Sequence, residues 1–411
     1  MLVALVVGLA LGALAHAAFP GAPALEALVA NLVNPIGQIF LRLLFVLVIP
    51  LILTALALAV AELGDLRRIG RIGALTFAYT ASVSAIAVAI GVGLVNLLEP
   101  GAGLSPALRA QLAAGALPGP AAAAAGRTGV DFVVNLVPSN AIRAMADGDM
   151  LALLVFSLLL GVGLAGTPGE PARRLEETLR GLQDVTMRLL GLVIRIAPLG
   201  VGCLVFALAS RLGIELFEKL GAYVLVVVAG LSLQMFVVYS LLVRWLGGTR
   251  PLHFFRCVRT AMITAFSTAS SNATLPTALL VAERELRLPT QVGRFVLTLG
   301  STANQNGTAL FEGVTVLFLA QFYGVELSLA QQLTVAGICV LGGIGTAGVP
   351  AGSLPVIAMI LGMFGIPPEG IGIVLGVDRF LDMCRSAVNV TGDLAIATAV
   401  ARSAGAAQGP L

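Results

Sequence analysis

Charge is scarce in this chain. Asp, Glu, Lys and Arg make up only 11% of its 411 residues, where soluble domains carry about a quarter, and an ordinary water-soluble enzyme is excluded. Disorder is excluded as well, because it needs low hydrophobicity with high net charge, and 58% of these residues are hydrophobic. A net charge of +3, scattered along the chain, excludes a nucleic-acid partner. Aromatic residues are few, at 6%, with a single tryptophan. Cys203, Cys257, Cys339 and Cys384 stand singly, without metal-ligand spacing, so no bound metal cofactor or disulfide framework is expected. What is abundant points one way. A mean hydropathy of +1.01, with 48 glycines and alanine-rich stretches, suits helices packed closely in a bilayer. The class is an all-α polytopic membrane protein.

Apolar stretches near 2–18, 36–62, 73–97, 130–166 (broken), 182–209, 220–246, 293–322 and 369–401 are long enough to span, which predicts eight transmembrane helices. The first carries Ala15-His16-Ala17, similar to a signal cleavage site. It lacks a basic leader, and a first membrane helix is the reading. The stretch 99–129, rich in Gly, Ala and Pro, predicts a loop or short irregular helices. Two more apolar segments, 260–281 and 331–364, are interrupted at Ser267–Pro276 and Gly342–Ser353. A helix break at membrane depth is tolerable only where it lines a cavity or is buried in protein. Two such segments predict two re-entrant hairpins around a transport site.

Arginines set the orientation. Dense groups at Arg67, Arg68 and Arg71, at Arg173, Arg174 and Arg180, at Arg244 to Arg259 and at Arg284 to Arg294 alternate with sparse loops. The positive-inside rule places the dense set and both termini in the cytoplasm. The first hairpin then enters from inside and the second from outside.

The chemistry concentrates in the last helix. Asp378, Asp382, Arg385, Ser386, Asn389 and Asp393 fall within an arc of about 100° and a stripe about 22 Å long. A charged residue at mid-membrane costs about 2.5–3.5 kcal/mol on insertion scales, so four in one stripe need a function. Three carboxylates against one guanidinium leave a negative surplus that calls for a cation or a proton. Arg379 lies outside the stripe. Arg385 is read as free to fork a substrate carboxylate, Asp382 as a partner for an ammonium, and Asp393 with Asn389 as oxygen ligands for a small hard cation. A carboxylate beside an amine describes an amino acid, with a second carboxylate admissible. Ser270 to Thr274 and Gly345 to Pro350, at the two hairpin tips, would present backbone N–H groups to an anion. Asn304-Gln305-Asn306-Gly307-Thr308 predicts local unwinding within 293–322. Glu312, a lone carboxyl further along that helix, is a candidate proton carrier.

Four motifs together resemble the dicarboxylate/amino acid:cation symporter family, the glutamate transporters and their prokaryotic homologues. They are Ser270-Ser271-Asn272-Ala273-Thr274-Leu275-Pro276, Asn304 to Thr308, Gly345 to Pro350, and Asp382 to Asp393. The resemblance implies a homotrimer of elevator-type protomers in the cell inner (plasma) membrane. Scaffold helices 1–2 would occupy 1–72, transport helix 3 and an extracellular loop 73–129, scaffold helices 4–5 130–219, and the transport domain with helices 6, 7 and 8 and both hairpins 220–411. It implies substrate contacts from Arg385 to the side-chain carboxylate and Asp382 to the amine. Ser271, Asn389 and the second hairpin's backbone at Gly348 and Val349 would hold the rest, with Ser386 and Thr308 completing the pocket. One sodium site would comprise Asn304, Asn389, Asp393 and the carbonyl of Gly300. Another would use carbonyls near Thr302, Gly343, Ile344 and Thr346. Glu312 matches the position resembling the proton carrier of mammalian relatives.

The departures concern coupling. Gln305 and Asn306 stand where the family's usual motif has methionine and aspartate. The third helix has Thr80 and Val83 where sodium-coupled relatives have tyrosine and threonine, so one sodium site is expected to be absent. Ala269 and Met383 both lack the arginine that relatives place at one or other position, which argues against potassium counter-transport. The expectation is a secondary-active symporter importing aspartate or glutamate with protons, fewer sodium ions, or both, and with no other cofactor. The alternatives are a C4-dicarboxylate:cation symporter and an anion channel of the same fold. An intramembrane enzyme is disfavoured because neither histidine lies near the stripe.

Overall fold

The computed structural model describes residues 2–19, 22–64, 70–104, 137–147, 150–213, 215–345, 353–368 and 370–405, and among them the regular structure is entirely helical. α1 is Leu2–Ala18. α2 (Pro23–Leu28) passes through a π turn (Val29–Val33) into α3 (Asn34–Phe45), and α4 (Val48–Gly64) follows. α5 is Arg71–Leu98, α6 Ala141–Asp147, α7 Met150–Gly166 and α8 Glu170–Leu212. α9 (Glu215–Leu233) continues through a second π turn (Gln234–Val238) into α10 (Tyr239–Trp245). Among the described residues, four helices are long and apolar enough to cross a membrane by length and composition: Pro23–Leu58, Arg71–Leu98, Glu170–Arg211 and Leu216–Trp245.

Several elements differ from the periodicity reading. The helix expected over 36–62 begins earlier and is interrupted at Val46–Leu47, between α3 and α4. The helix expected over 182–209 starts at Glu170, because the intervening charges pair along it. Arg174 meets Glu170, Arg173 meets Glu177 and Arg180 meets Glu176, all one turn apart. Arg173, Arg174 and Arg180 therefore sit on a helix and not in a loop. The expected irregular stretch lies outside the described residues from 105 onward, as do the start of the helix expected at 130, Arg67 and Arg68.

The first hairpin is α11 (Pro251–Thr268) and α12 (Ser271–Arg284). Its break is narrower than the sequence suggests. Ala269 adopts a left-handed φ of 50°, and Ser270 caps α12 by accepting the Ala273 N–H at 3.2 Å. Pro276 lies within the first turns of α12. α13 (Thr290–Ala303) and α14 (Asn306–Tyr323) form the expected unwound helix, broken at Asn304–Gln305. The second hairpin has arms α15 (Leu329–Gly345) and α16 (Leu354–Met363). α17 is Gly370–Ser403.

Packing groups these elements. α1 and α3 lie along α8, α4 along α7, α5 along α14, and α11 and α13 along α17. α17 touches the N-terminal group where Gly372 meets Leu204 and Gly376 meets Leu5. The core centres on α14 and α17. Nearly every residue of 306–322 is buried, as is most of 370–401. Helices apolar all round belong inside; α17 is buried despite its charges, so those charges must be matched from neighbours.

Candidate functional site

All six stripe residues of α17 are buried, and Arg379 is exposed. The stripe divides into two clusters. At one end Arg385 is 1% exposed, and its Nη2 lies 2.7 Å from Asp382 Oδ1 and 3.0 Å from Asp378 Oδ1. Nη1 donates to Ser353 Oγ, beside the start of α16, at 3.2 Å. The guanidinium carbon sits 3.8 Å above the Phe311 ring centroid, a cation–π contact in a desolvated place. Tyr223 packs against Phe311 and bonds Thr315 at 2.8 Å. Arg385 is thus not free, as the sequence reading had it. Its long side chain reaches back one and two turns to carboxylates on its own helix. Its Nε remains without a hydrogen-bond partner among the described residues.

The other end is an amide cluster built at the break between α13 and α14. Asn304 Nδ2 donates to Asp393 Oδ1 at 2.6 Å. Asn306 Nδ2 donates to Asn304 Oδ1 at 3.1 Å, while Asn306 Oδ1 accepts from the Tyr239 hydroxyl at 2.8 Å. Asn389 Oδ1 accepts the Gly307 N–H at 2.7 Å, and its Nδ2 donates to Gln305 Oε1 and, at 3.1 Å, to Thr308 Oγ1. Gln305 Nε2 donates to the Ser301 carbonyl at 3.0 Å, and its backbone N–H reaches the Gly343 carbonyl of α15 at 3.3 Å. Gly300 packs directly on the Asp393 carboxylate, so any side chain there would collide with it. The break freed backbone groups, and these amides satisfy them.

The structure therefore brings Arg385 and Asp382 together at one end, and Asn304, Asn389, Asp393, Gly300 and Thr308 at the other, with Gly343 beside Gln305. Ser386 is buried between the two ends of the stripe. Ser271 is buried at the first hairpin tip, and its Oγ has no partner among the described residues. Thr302 lies in the last turn of α13 and Ile344 in the last turn of α15. Thr346, Gly348 and Val349 lie outside the described residues. Glu312 is fully buried with both carboxyl oxygens unpartnered among the described residues; a Cβ at Gly342 would stand 3.2 Å from its Oε2.

Ser353, Phe311, Tyr239 and Gln305's bridging role were missed from the sequence. A buried tyrosine hydroxyl inside a membrane segment is a signal in itself, since it must find a partner. Ser353 had no such mark, because only the hairpin fold brings it to a residue 32 positions on.

The chain is similar to known transport proteins over most of its length. Over 387 residues the chain is 33% identical to the proton/sodium-glutamate symport protein of Bacillus caldotenax, covering 94% of this chain and 90% of that one. It is 31% identical over 404 residues to the proton/glutamate-aspartate symporter of Escherichia coli K12, covering 98% and 91%. It is 30% identical over 374 residues to the C4-dicarboxylate transport protein of Bacillus subtilis 168, covering 90% and 87%. Matched across residues 1–403, the chain belongs to the sodium:dicarboxylate symporter family.

Proposed function

We propose that this protein is a secondary-active symporter for an acidic amino acid, aspartate or glutamate, driven by protons, by sodium, or by both. It is a transporter and not an enzyme, as its family and relatives are. The observation that carries the reading is the buried pairing of one arginine with two carboxylates on α17, between the two hairpins. Arg385 would turn its guanidinium from Asp378 and Ser353 to the substrate's side-chain carboxylate, bidentately, leaving Asp382 to take the amine. Arg385 Nε and Ser271 Oγ, unpartnered among the described residues, are donors that a bound carboxylate would satisfy. Asn389, Thr308, Ser386 and the second hairpin's tip would complete the pocket. Asp393, with Asn304, Asn389 and the Gly300 carbonyl, would hold a sodium ion, and carbonyls near Thr302, Gly343 and Ile344 another. Glu312 would carry a proton. Asn306, whose amide is spent on Asn304 and Tyr239, offers no charge to a further cation.

In this reading the protein has eight spans and two hairpins and works as an elevator in the plasma membrane, with both termini inside. Residues 1–72 and 130–219 form its scaffold, and 73–129 with 220–411 its moving part. A homotrimer is supported by α8, where Leu182, Val185, Leu189, Leu192, Ile196 and Leu199 are exposed at alternating spacings of three and four. That is the seam of a coiled-coil-like contact.

C4-dicarboxylate transport is the second reading, favoured by the Bacillus subtilis relative. Uptake of labelled aspartate, glutamate and succinate into proteoliposomes, under imposed pH or sodium gradients, separates the two. Succinate uptake with no response to aspartate would select the second. Indifference to both gradients would overturn symport altogether.

A further inference from the structure

Behind the substrate-facing stripe lies a groove with no part in the scheme above. It is an apolar cavity of about 340 Å3, more than twice the ~150 Å3 cavity that admits a benzene. Met235 and Phe236 at the second π turn form one wall, Ile263 and Phe266 of α11 another, and Cys384 and Val388 of α17 the floor. π turns recur at functional positions because they re-aim side chains outward. Here Phe236 is 58% and Ile263 65% exposed at the rim. Two members of the floor flank Arg385 and Asn389 in sequence yet face away from the stripe. In the proposed topology the groove lies beside the first hairpin's tip at membrane depth, where the surrounding medium is hydrocarbon.

The charges nearby favour one occupant. Arg256, Arg259, Ile263 and Phe266 lie within an arc of about 80° on α11, basic at the chain-entry end and apolar towards the tip. Arg244 and Trp245 close α10 at the same end, the tryptophan 72% exposed as interfacial tryptophans are. Arg244, Arg256 and Arg259 are exposed and have no carboxylate partner among the described residues. From Arg259 to Phe266 is about 10 Å along the helix, within the half-thickness that one acyl chain spans.

We propose that this groove binds an anionic phospholipid, its headgroup on Arg244, Arg256 and Arg259 and one acyl chain in the cavity behind Arg385. Basic pockets between membrane helices take anionic headgroups through this charge pairing. The site is separate from the substrate pocket, and its occupancy is independent of what the protein carries.

The chain's single tryptophan makes the test clean. Trp245→Phe with Phe266→Trp leaves one fluorophore at the groove. The protein is reconstituted in phosphatidylcholine vesicles containing equal mole fractions of either dibrominated phosphatidylglycerol or dibrominated phosphatidylcholine. Stronger quenching by the brominated phosphatidylglycerol is expected. Adding Arg256→Ala and Arg259→Ala should lower that lipid's preference by about fivefold per arginine, whereas Arg256→Lys with Arg259→Lys should keep it. Equal quenching by both lipids would overturn the proposal. So would quenching by neither, which means protein covers the groove, or an excess that survives the alanine pair. Loss of the excess in the lysine pair would also count against it.

Discussion

The two ends of the α17 stripe keep polar groups inside an apolar bundle by opposite means. Around Arg385 the solution is ionic: two carboxylates on one guanidinium, steadied by Phe311. Around Asn389 and Asp393 it is a mesh of amides with a single carboxylate. The ionic end can exchange partners, because a substrate bringing its own carboxylate and amine replaces one set of charges by another. The amide end has one carboxylate and, among the described residues, no basic side chain bonded to it, so it suits a small cation or a proton. In the proposed function, recognition falls to the first end and coupling to the second.

The largest break in that contrast is Arg385→Ala. It takes the guanidinium from the buried carboxylates of Asp378 and Asp382, and breaking such a pair costs about 3–5 kcal/mol. Uptake of labelled aspartate should fall by about 100-fold or more, with an elution volume on size exclusion unchanged from the native protein as the control for folding. Retained uptake would remove Arg385 from the site.

At the other end, Asp393→Asn deletes the one carboxylate of the mesh. Aspartate uptake should drop by about 30-fold or more, in the range for truncating a buried charge. The residual uptake should no longer respond to the gradient that drives the native protein. A cation response equal to the native one would place coupling elsewhere.

Much of this division was legible in the sequence. A period of 3.6 residues put Asp378 through Asp393 on one face, and all six side chains are buried as that periodicity requires. The Asn304–Gln305 break was legible too, because a polar run with glycine cannot continue an apolar helix. The partner of Arg385 was not. A side chain that long reaches several turns, and Ser353 approaches it only once the second hairpin folds back. Nor did spacing reveal that Arg173, Arg174 and Arg180 extend a helix; the glutamates one turn away did, and a hydropathy scan discounts them.

Gln305→Met tests a smaller difference. The thioether cannot replace the bonds to Asn389 and Ser301. Only the bond to Asn389 bears on the pocket, and at about 1 kcal/mol for that one net hydrogen bond aspartate binding measured by calorimetry should weaken about fivefold. Unchanged affinity would show that Thr308 and Gly307 hold Asn389 unaided.

Smallest in rate should be Glu312→Gln. The carboxyl makes no hydrogen bond among the described residues, and glutamine is its neutral isostere. Uptake at acidic pH should stay within about twofold of native, since no bond is lost. The decline with rising pH should flatten. A pH profile parallel to the native one would clear Glu312 of proton carriage.

α8 has a mechanical consequence. Its 43 residues extend about 64 Å, roughly twice the hydrocarbon thickness of a bilayer. One helix is therefore long enough to serve both as a membrane wall and as a post standing in water, with Pro198 inside it as a pivot. A tilt of about 10° at that proline would sweep the Glu170 end through roughly 7 Å. Probes attached near Glu170 would act as a lever arm, magnifying rearrangements at the pivot into displacements large enough to measure.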